Sequence, residues 1–592
     1  GMADQLKAGV LEEGLRLREY IPVGEMIPGM AYLVRRLLEN TSNESWLRSS
    51  FADEADSSTL LASPHTGNIK DDPGIQRIED APERHLLSPA VMGVGDDRPF
   101  FTEPYRDFSD EKQRKAFADS IAASVVPSVE LITTPEEATA VVDVAHAAFP
   151  SWRDENPITR SNVLVKTASL MRQRRDELAG VVMKESGKTW READGDVCES
   201  IDFCEYYARM APGLFEYERL GSFIGELDQQ FYQPRGVTAV ISPWNFPMAI
   251  CCGMTVAALV TGNTVLVKPA GQTVGIGRLI CEMLWEAGAP KDVLQFAAGP
   301  GSIVGSALVR DPRVAIIAFT GSKAVGLNIL EAAGNIPEEQ PFVKKIVCEM
   351  GGKNAIIIDA SADLDEAVLG VRQSAFGYQG QKCSACSRVI VVDSAHDQFL
   401  ERLVESSRTL VIGDVMEPST DVGPVIDARA AEEIQEYIEI GKKEGTLVLA
   451  EPVPDGLEEK TGRTYIAPHI FSDISSHDRI AQEEIFGPVL AVIRVEDFDE
   501  ALDVANSTAY KLTGAVYSRK PSNLEKARRE FRVGNLYLNR GSTGALVGRQ
   551  PFGGFGMSGV GSKAGGRDYL LQFVEPRAIC ENTMRRGFAP GL

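Results

Sequence analysis

Three side chains able to do carbonyl chemistry stand in glycine- and proline-punctuated stretches of this sequence. Cys383 lies in Gly380-Gln-Lys-Cys-Ser-Ala-Cys386, between a predicted helix and a predicted strand, where a thiolate can attack a carbonyl carbon. Glu349 opens Glu-Met-Gly-Gly-Lys-Asn354 at the end of a predicted strand. A carboxylate there can serve as a general base, and the two glycines let backbone approach something closely; a solvated strand-end glutamate is the alternative. Asn245, in Ser242-Pro-Trp-Asn-Phe-Pro247, either offers an amide N–H to a developing oxyanion or caps the following helix. Cys383 and Cys386 are also spaced C-x-x-C, which leaves a redox couple or half a metal site open. A zinc site needs a second Cys or His pair, and the six His are scattered, so no metal is expected. Cys251, Cys252 and Cys281 read as small buried hydrophobes.

The elements that must position these groups alternate. Val237–Ile241, Thr264–Val267, Val293–Ala297 and Val314–Phe319 read as buried strands, with helices from about Ala249 and over Val274–Ala287. A second series follows, with strands Ala355–Ile358 and Arg388–Val392 and helices Leu364–Phe376 and His396–Thr409. Short β-branched runs separated by helices predict two α/β domains built on doubly wound parallel sheets. Such sheets take ligands beyond the carboxyl ends of their strands. Ser242 to Pro247 follows the first strand there, Lys268-Pro269 the second, and Gly321-Ser322 the fourth. The last opens a helix whose free N–H groups favour phosphate, so the three together suggest a nucleotide crevice; taken singly they are also turn punctuation. Gly299, Gly301 and Gly305 give G-x-G-x-x-x-G, one residue longer than the dinucleotide fingerprint.

Composition narrows the partners. Across 592 residues, 61 Lys and Arg against 84 Asp and Glu give a net charge of −23, which argues against a nucleic-acid or anionic-membrane partner. A small-molecule substrate is expected instead. The longest apolar run, Met248 to Val260, is broken by Gly253 and shorter than the ~18 residues of a membrane span. Nine Cys at irregular spacing suit a reducing cytoplasm rather than a disulfide framework. Asp4, Lys7, Glu12, Glu13 and Glu19 leave no apolar core for a signal peptide, and Gly1 ahead of Met2 reads as the scar of an expression tag. Residues 51–100, rich in Asp, Ser, Pro and Gly, read as a linker or arm behind a short helix at Ala31 to Asn40.

Pro-Trp-Asn245-Phe, Lys268-Pro, Phe-Thr-Gly321-Ser, Glu349-x-Gly-Gly-Lys, Gly-Gln-x-Cys383 and Glu484-Ile-Phe-Gly-Pro488, in that order, resemble the aldehyde dehydrogenase superfamily from about Phe101 onward. Gly380 to Arg388, with Thr543-Gly-Ala-x-Val-Gly-x-Gln-Pro-Phe-Gly553, resembles its Δ1-pyrroline-5-carboxylate (glutamate-γ-semialdehyde) dehydrogenase branch. The resemblance implies NAD-dependent oxidation of L-glutamate γ-semialdehyde to L-glutamate, the second step of proline catabolism, or of a different carboxylate-bearing aldehyde. It implies Cys383 as nucleophile, Asn245 as oxyanion donor and Glu349 as the base that activates water. Around NAD it implies Ser242, Trp244, Lys268, Gly301, Gly321, Ser322, Glu484 and Phe486. For the substrate it implies Ser384, Gly544 and Ala545 at the carboxylate, and Phe246 and Phe552 flanking the aliphatic chain. Relatives commonly carry Glu shortly after the Lys-Pro, where Lys268-Pro-Ala-Gly271 has Gly. Its loss removes a repulsion against a 2′-phosphate; NAD is still expected over NADP.

Arg18-Glu-Tyr-Ile-Pro-Val-Gly24 and Ala31 to Asn40 are similar to the last segment of the proline dehydrogenase barrel of bifunctional proline utilization A proteins. That family's paired arginines, here Arg35 and Arg36, clamp proline. A (β/α)₈ barrel needs ~200 residues or more, so a missing upstream domain is expected. The implied layout is a barrel remnant at 1–50, the linker at 51–100, and an NAD-binding domain at 101–214 and 237–347. A catalytic domain spans 348–540 and a substrate-anchor loop 541–568. A β flap at 215–236 and 569–592 would join a homodimer or larger assembly.

Overall fold

The computed structural model describes residues 4–15, 17, 18, 94 and 100–584. The helix expected at Ala31 to Asn40, the Arg35-Arg36 pair, nearly all of the linker and residues 585–592 lie outside the described residues. The chain divides into two units at Leu87/Ser88. In the first, the described helix is Asp4–Glu12. The second carries everything that follows.

Its first sheet is built from β1 (Val237–Ile241), β2 (Thr264–Lys268), β3 (Leu294–Phe296), β4 (Val314–Thr320) and β5 (Lys345–Glu349). The order is β5-β4-β1-β2-β3, all parallel, with the short return strand Gly559–Val560 antiparallel on β5. β1 and β2 are buried at every position, as continuous β-branched runs sandwiched between helices should be. The expected strands and their order are present. β5 runs across position 347, so Glu349 is the last residue of this sheet's edge rather than the start of another layer. Because β1 is flanked by β2 on one side and β4 on the other, the strand order reverses between β1 and β4. A crevice opens there beyond the strand ends.

The second sheet holds β6 (Asn354–Ile358), β7 (Cys386–Val392), β8 (Thr446–Ala450), β9 (His469–Ser472), β10 (Val489–Val495), β11 (Thr513–Tyr517) and β12 (Asn535–Leu538). Its order is β8-β9-β10-β7-β6-β11-β12, with β8 alone antiparallel. Helices α1 (Trp190–Met210) and α2 (Ala249–Val260) pack into one apolar core, and α3 (Lys323–Gly334) follows β4. α2 is buried along almost its whole length, the reading given to its apolar run. A separate ribbon pairs Glu226–Pro234 with Val574–Asn582 in continuous antiparallel register.

Candidate active site

Cys383 sits in a turn that the local sequence forces open. Tyr378 and Gln379 hold left-handed backbone (φ 50° and 55°) without being glycine, and Gly380 follows at φ 68°. A Cβ on Gly380 would stand 2.3 Å from the Gly487 carbonyl oxygen, so only glycine fits. Side-chain hydrogen bonds hold the two strained residues: Tyr378 Oη donates to the Ser186 carbonyl (2.9 Å) and Gln379 Nε2 to that of Pro424 (2.8 Å). Beyond them, Asn354 Nδ2 donates to the carbonyls of Cys383 (2.7 Å) and Ala385 (2.9 Å), while its Oδ1 accepts from Thr513 N–H (2.9 Å). Thr513 and Ser542 hydroxyls donate to the Ser384 carbonyl. The Lys382 carbonyl accepts from Ala385 N–H (3.0 Å), so the Cys383 N–H of the same peptide points the other way and meets no acceptor among the described residues.

Two cavities meet at this turn. The larger, about 750 Å³, is lined by Cys383, Glu349, Ser384, Gly544, Ala545, Phe246 and Phe552 among others. The smaller, about 360 Å³, is lined by Trp244, Asn245, Gly321, Ser322, Glu484, Phe486 and again Cys383. Cys383 therefore lines both. Asn245 caps no helix; its Nδ2 donates to the Gln381 carbonyl (3.2 Å) at the mouth of the cysteine turn. Ser242, Lys268 and Gly301 line neither cavity. Lys268 ends β2, with its Nζ on the Pro269 carbonyl (3.1 Å), and burial lowers its pKa. Ser242 Oγ, beside it at the end of β1, is buried without a partner. Gly301 opens a short helical turn after β3.

Electrostatics at the junction run against charge. Burial pushes the Glu349 carboxyl up to about 8; the Cys383 thiol hydrogen-bonds it and pulls it down, and the charges of Glu484 and Glu199 push it further up. One Glu349 oxygen is buried without a partner. Burial, then the Glu349 and Glu484 carboxylates, push the Cys383 thiol well above its ordinary value. The sulfur rests protonated, its thiol hydrogen-bonded to Glu349. Burial also raises Glu484, to about 7, while Gly352 N–H donates to its Oε1 (2.9 Å). A Cβ on Gly351 would fall 1.8 Å from that carboxylate. Phe486 takes φ 58° and meets Trp244 edge to face at 5.4 Å. Cys386 points away, its thiol on the Arg388 carbonyl, and both cysteines are free thiols.

Sequence reading missed a third carboxylate. Glu199 of α1 lines the larger cavity, hydrogen-bonds to nothing among the described residues, and is pushed to about 8 by burial and then by the Asp196 charge. Lys188 was missed as well. It pairs with Asp196 (3.0 Å), both fully buried, and its Nζ stands 3.8 Å from the centroid of the Phe246 ring. Asp196 also accepts from Ala249 N–H (2.8 Å), so one ion pair fixes both the aromatic and the start of α2. The available signal was the acidic run of α1, which looks like a solvated face until its partners are known.

The aldehyde dehydrogenase family matches residues 109–579. The chain belongs to the aldehyde dehydrogenase family. Among relatives, it is 45% identical over 516 residues to 1-pyrroline-5-carboxylate dehydrogenase of Geobacillus sp. (strain WCH70), covering 82% of this chain and 99% of that one. The Bacillus subtilis 1-pyrroline-5-carboxylate dehydrogenase is 41% identical over 511 residues, 81% and 98% of the two chains. The solved structure of a Thermus 1-pyrroline-5-carboxylate dehydrogenase with bound NAD superposes with a TM-score of 0.77 at 44% identity, covering 82% of this chain and 99% of that one. Proline utilization A from Bdellovibrio bacteriovorus gives a TM-score of 0.83 at 43% identity over 100% of this chain, which spans 62% of that longer protein. The proline dehydrogenase family matches residues 1–49. No described helix is long and apolar enough to cross a membrane.

Proposed function

We propose that this aldehyde dehydrogenase oxidises L-glutamate γ-semialdehyde to L-glutamate with NAD, consuming one water. The observation that carries the reading is the sulfur of Cys383 at the junction of two cavities. One offers anion donors and a lone carboxylate; the other lies at the strand-order reversal. The residues present fit a dinucleotide. Gly321 and Ser322 open α3, Lys268 and the unpartnered Ser242 hydroxyl end adjacent strands, and Glu484 and Phe486 face the cysteine's side. NAD bound there would supply the hydride acceptor that turns a Cys383-bound thiohemiacetal into a thioester.

The chain's own residues do the rest. The Cys383 thiol gives its proton to water as the sulfur bonds to the aldehyde carbon, and Asn245 Nδ2 and the Cys383 N–H hold the resulting oxyanion. After oxidation Glu349 takes a proton from water. The hydroxide adds to the thioester carbon, the C–S bond breaks, glutamate leaves, and Glu349 returns its proton to the Cys383 thiolate. Ser384 and the N–H groups of Gly544 and Ala545 receive the substrate's α-carboxylate, with Phe246 and Phe552 along its chain. Glu199 suits the α-ammonium. This pairing favours an amino-acid aldehyde over a simple acid aldehyde.

We further propose a cytoplasmic enzyme that self-associates through the 226–234/574–582 ribbon, in a polypeptide whose upstream part is a proline dehydrogenase barrel. NAD is the preferred acceptor, supported by the Thermus relative with bound NAD, although Gly271 leaves open space in which a Cβ would meet nothing within 4 Å. The test compares kcat/KM for glutamate semialdehyde, succinate semialdehyde and butanal, each with NAD and NADP. The reading expects glutamate semialdehyde with NAD to lead. A lead for succinate semialdehyde would move the assignment to another carboxylate-bearing aldehyde, and a lead for NADP would reverse the cofactor.

A further inference from the structure

Arg540, two residues past β12, is exposed and lines the larger cavity. Its Nη2 donates to the carbonyl oxygens of Thr543 (3.0 Å) and Gly544 (3.2 Å), and its guanidinium lies 4.7 Å from the centroid of the Tyr537 ring. A trans peptide sets its N–H opposite its C=O. Tying these two carbonyls to one nitrogen therefore turns the N–H groups of Gly544 and Ala545 away from Arg540. Neither N–H meets an acceptor among the described residues, while the neighbouring Leu546 N–H donates to Gln550 Oε1 (3.1 Å). Gly544 makes the bend at φ 78°, where a side chain would be strained. Arg540 has no carboxylate partner among the described residues, so its charge is left uncompensated beside the same turn.

We propose that Arg540 is a positioning residue that sets the enzyme's preference for an anionic aldehyde. It holds the 543–545 turn with two N–H donors aimed at the site of the substrate carboxylate, and adds a fixed positive charge behind them. The proposal rests on the substrate reading above. It predicts a defect confined to binding of the charged substrate, because Arg540 hydrogen-bonds the 543–544 carbonyls and not Cys383, Glu349 or Asn245.

The experiment is steady-state kinetics of R540Q beside wild type, with glutamate semialdehyde and with butanal, a neutral aldehyde that has no use for the turn. For glutamate semialdehyde KM should rise about tenfold or more, the scale of one lost hydrogen bond to a charged group, with kcat held within about threefold. Butanal kinetics should stay within about twofold of wild type. If R540Q melts early, R540K carries the same comparison on a shorter stem, and the same selective rise in KM is expected. An unchanged KM for the semialdehyde, or an equal loss with butanal, would overturn the proposal alone. A wild-type enzyme that does not prefer the charged aldehyde would remove the substrate reading and this proposal with it.

Discussion

The base role proposed for Glu349 works against its surroundings. As a base it must be ionised, yet burial holds its carboxyl up to about 8. The group is mostly protonated below that pH, so kcat should climb as pH rises through about 8, and E349Q should lose both the climb and the turnover. The same shift fixes a stability trend. A carboxyl whose folded pKa lies above its unfolded value gives stability that is full below the unfolded value and is lost as pH rises toward the folded one. Glu199, near 8, and Glu484, near 7, act in the same sense. Thermal melts should therefore show E349Q more stable than wild type at pH 8, with the gap closing toward pH 5. A melt in which E349Q is less stable at pH 8 would contradict the burial of a costly charge.

At the scale of elements, the cysteine turn depends on a side chain that performs no chemistry. Asn354, at the start of β6, donates to two carbonyls of the turn and accepts from β11, and it is buried. N354A leaves buried carbonyls unmatched, at about 1–3 kcal/mol each, and frees the loop that aims the sulfur. The expected result is a kcat at least about tenfold lower with KM for NAD little changed, since the smaller cavity's strand-end groups stay in place. Much of this architecture was legible beforehand. Val237–Ile241 and Val314–Thr320 announce themselves because buried parallel strands need uninterrupted β-branched residues. Cys383, Glu349 and Asn245 were legible because glycine and proline mark the turns that carry them. The antiparallel return of Gly559–Val560 onto β5 was not, since two residues hold no periodicity. Glu199 and Lys188 escaped for a different reason. A charged residue on a helix, like Glu199, or in a short connection, like Lys188, reads as solvated, and only the tertiary fold shows that Asp196 and Phe246 enclose Lys188.

At the scale of the whole molecule, the ribbon of Glu226–Pro234 and Val574–Asn582 leaves apolar side chains in water. Phe223 is 68% exposed and Ile224 90%, on the turn that leads into this ribbon, next to Gly225 and the exposed Met584. Exposed apolar groups this close together mark an interaction surface. Light scattering should report more than one subunit for the wild type, and F223D/I224D should lower the mass without abolishing NADH formation. A monomeric wild type would remove the ribbon's assembly role while leaving the active site untouched. The active site's central claim is an order of events: sulfur first, hydride second, water last, with Glu349 serving the last step. Stopped-flow absorbance of E349Q mixed with glutamate semialdehyde and NAD tests it most directly. The account predicts a burst of about one NADH per active site followed by a slow phase, and no burst in C383A. An E349Q trace without a burst, or a C383A trace with one, would contradict it.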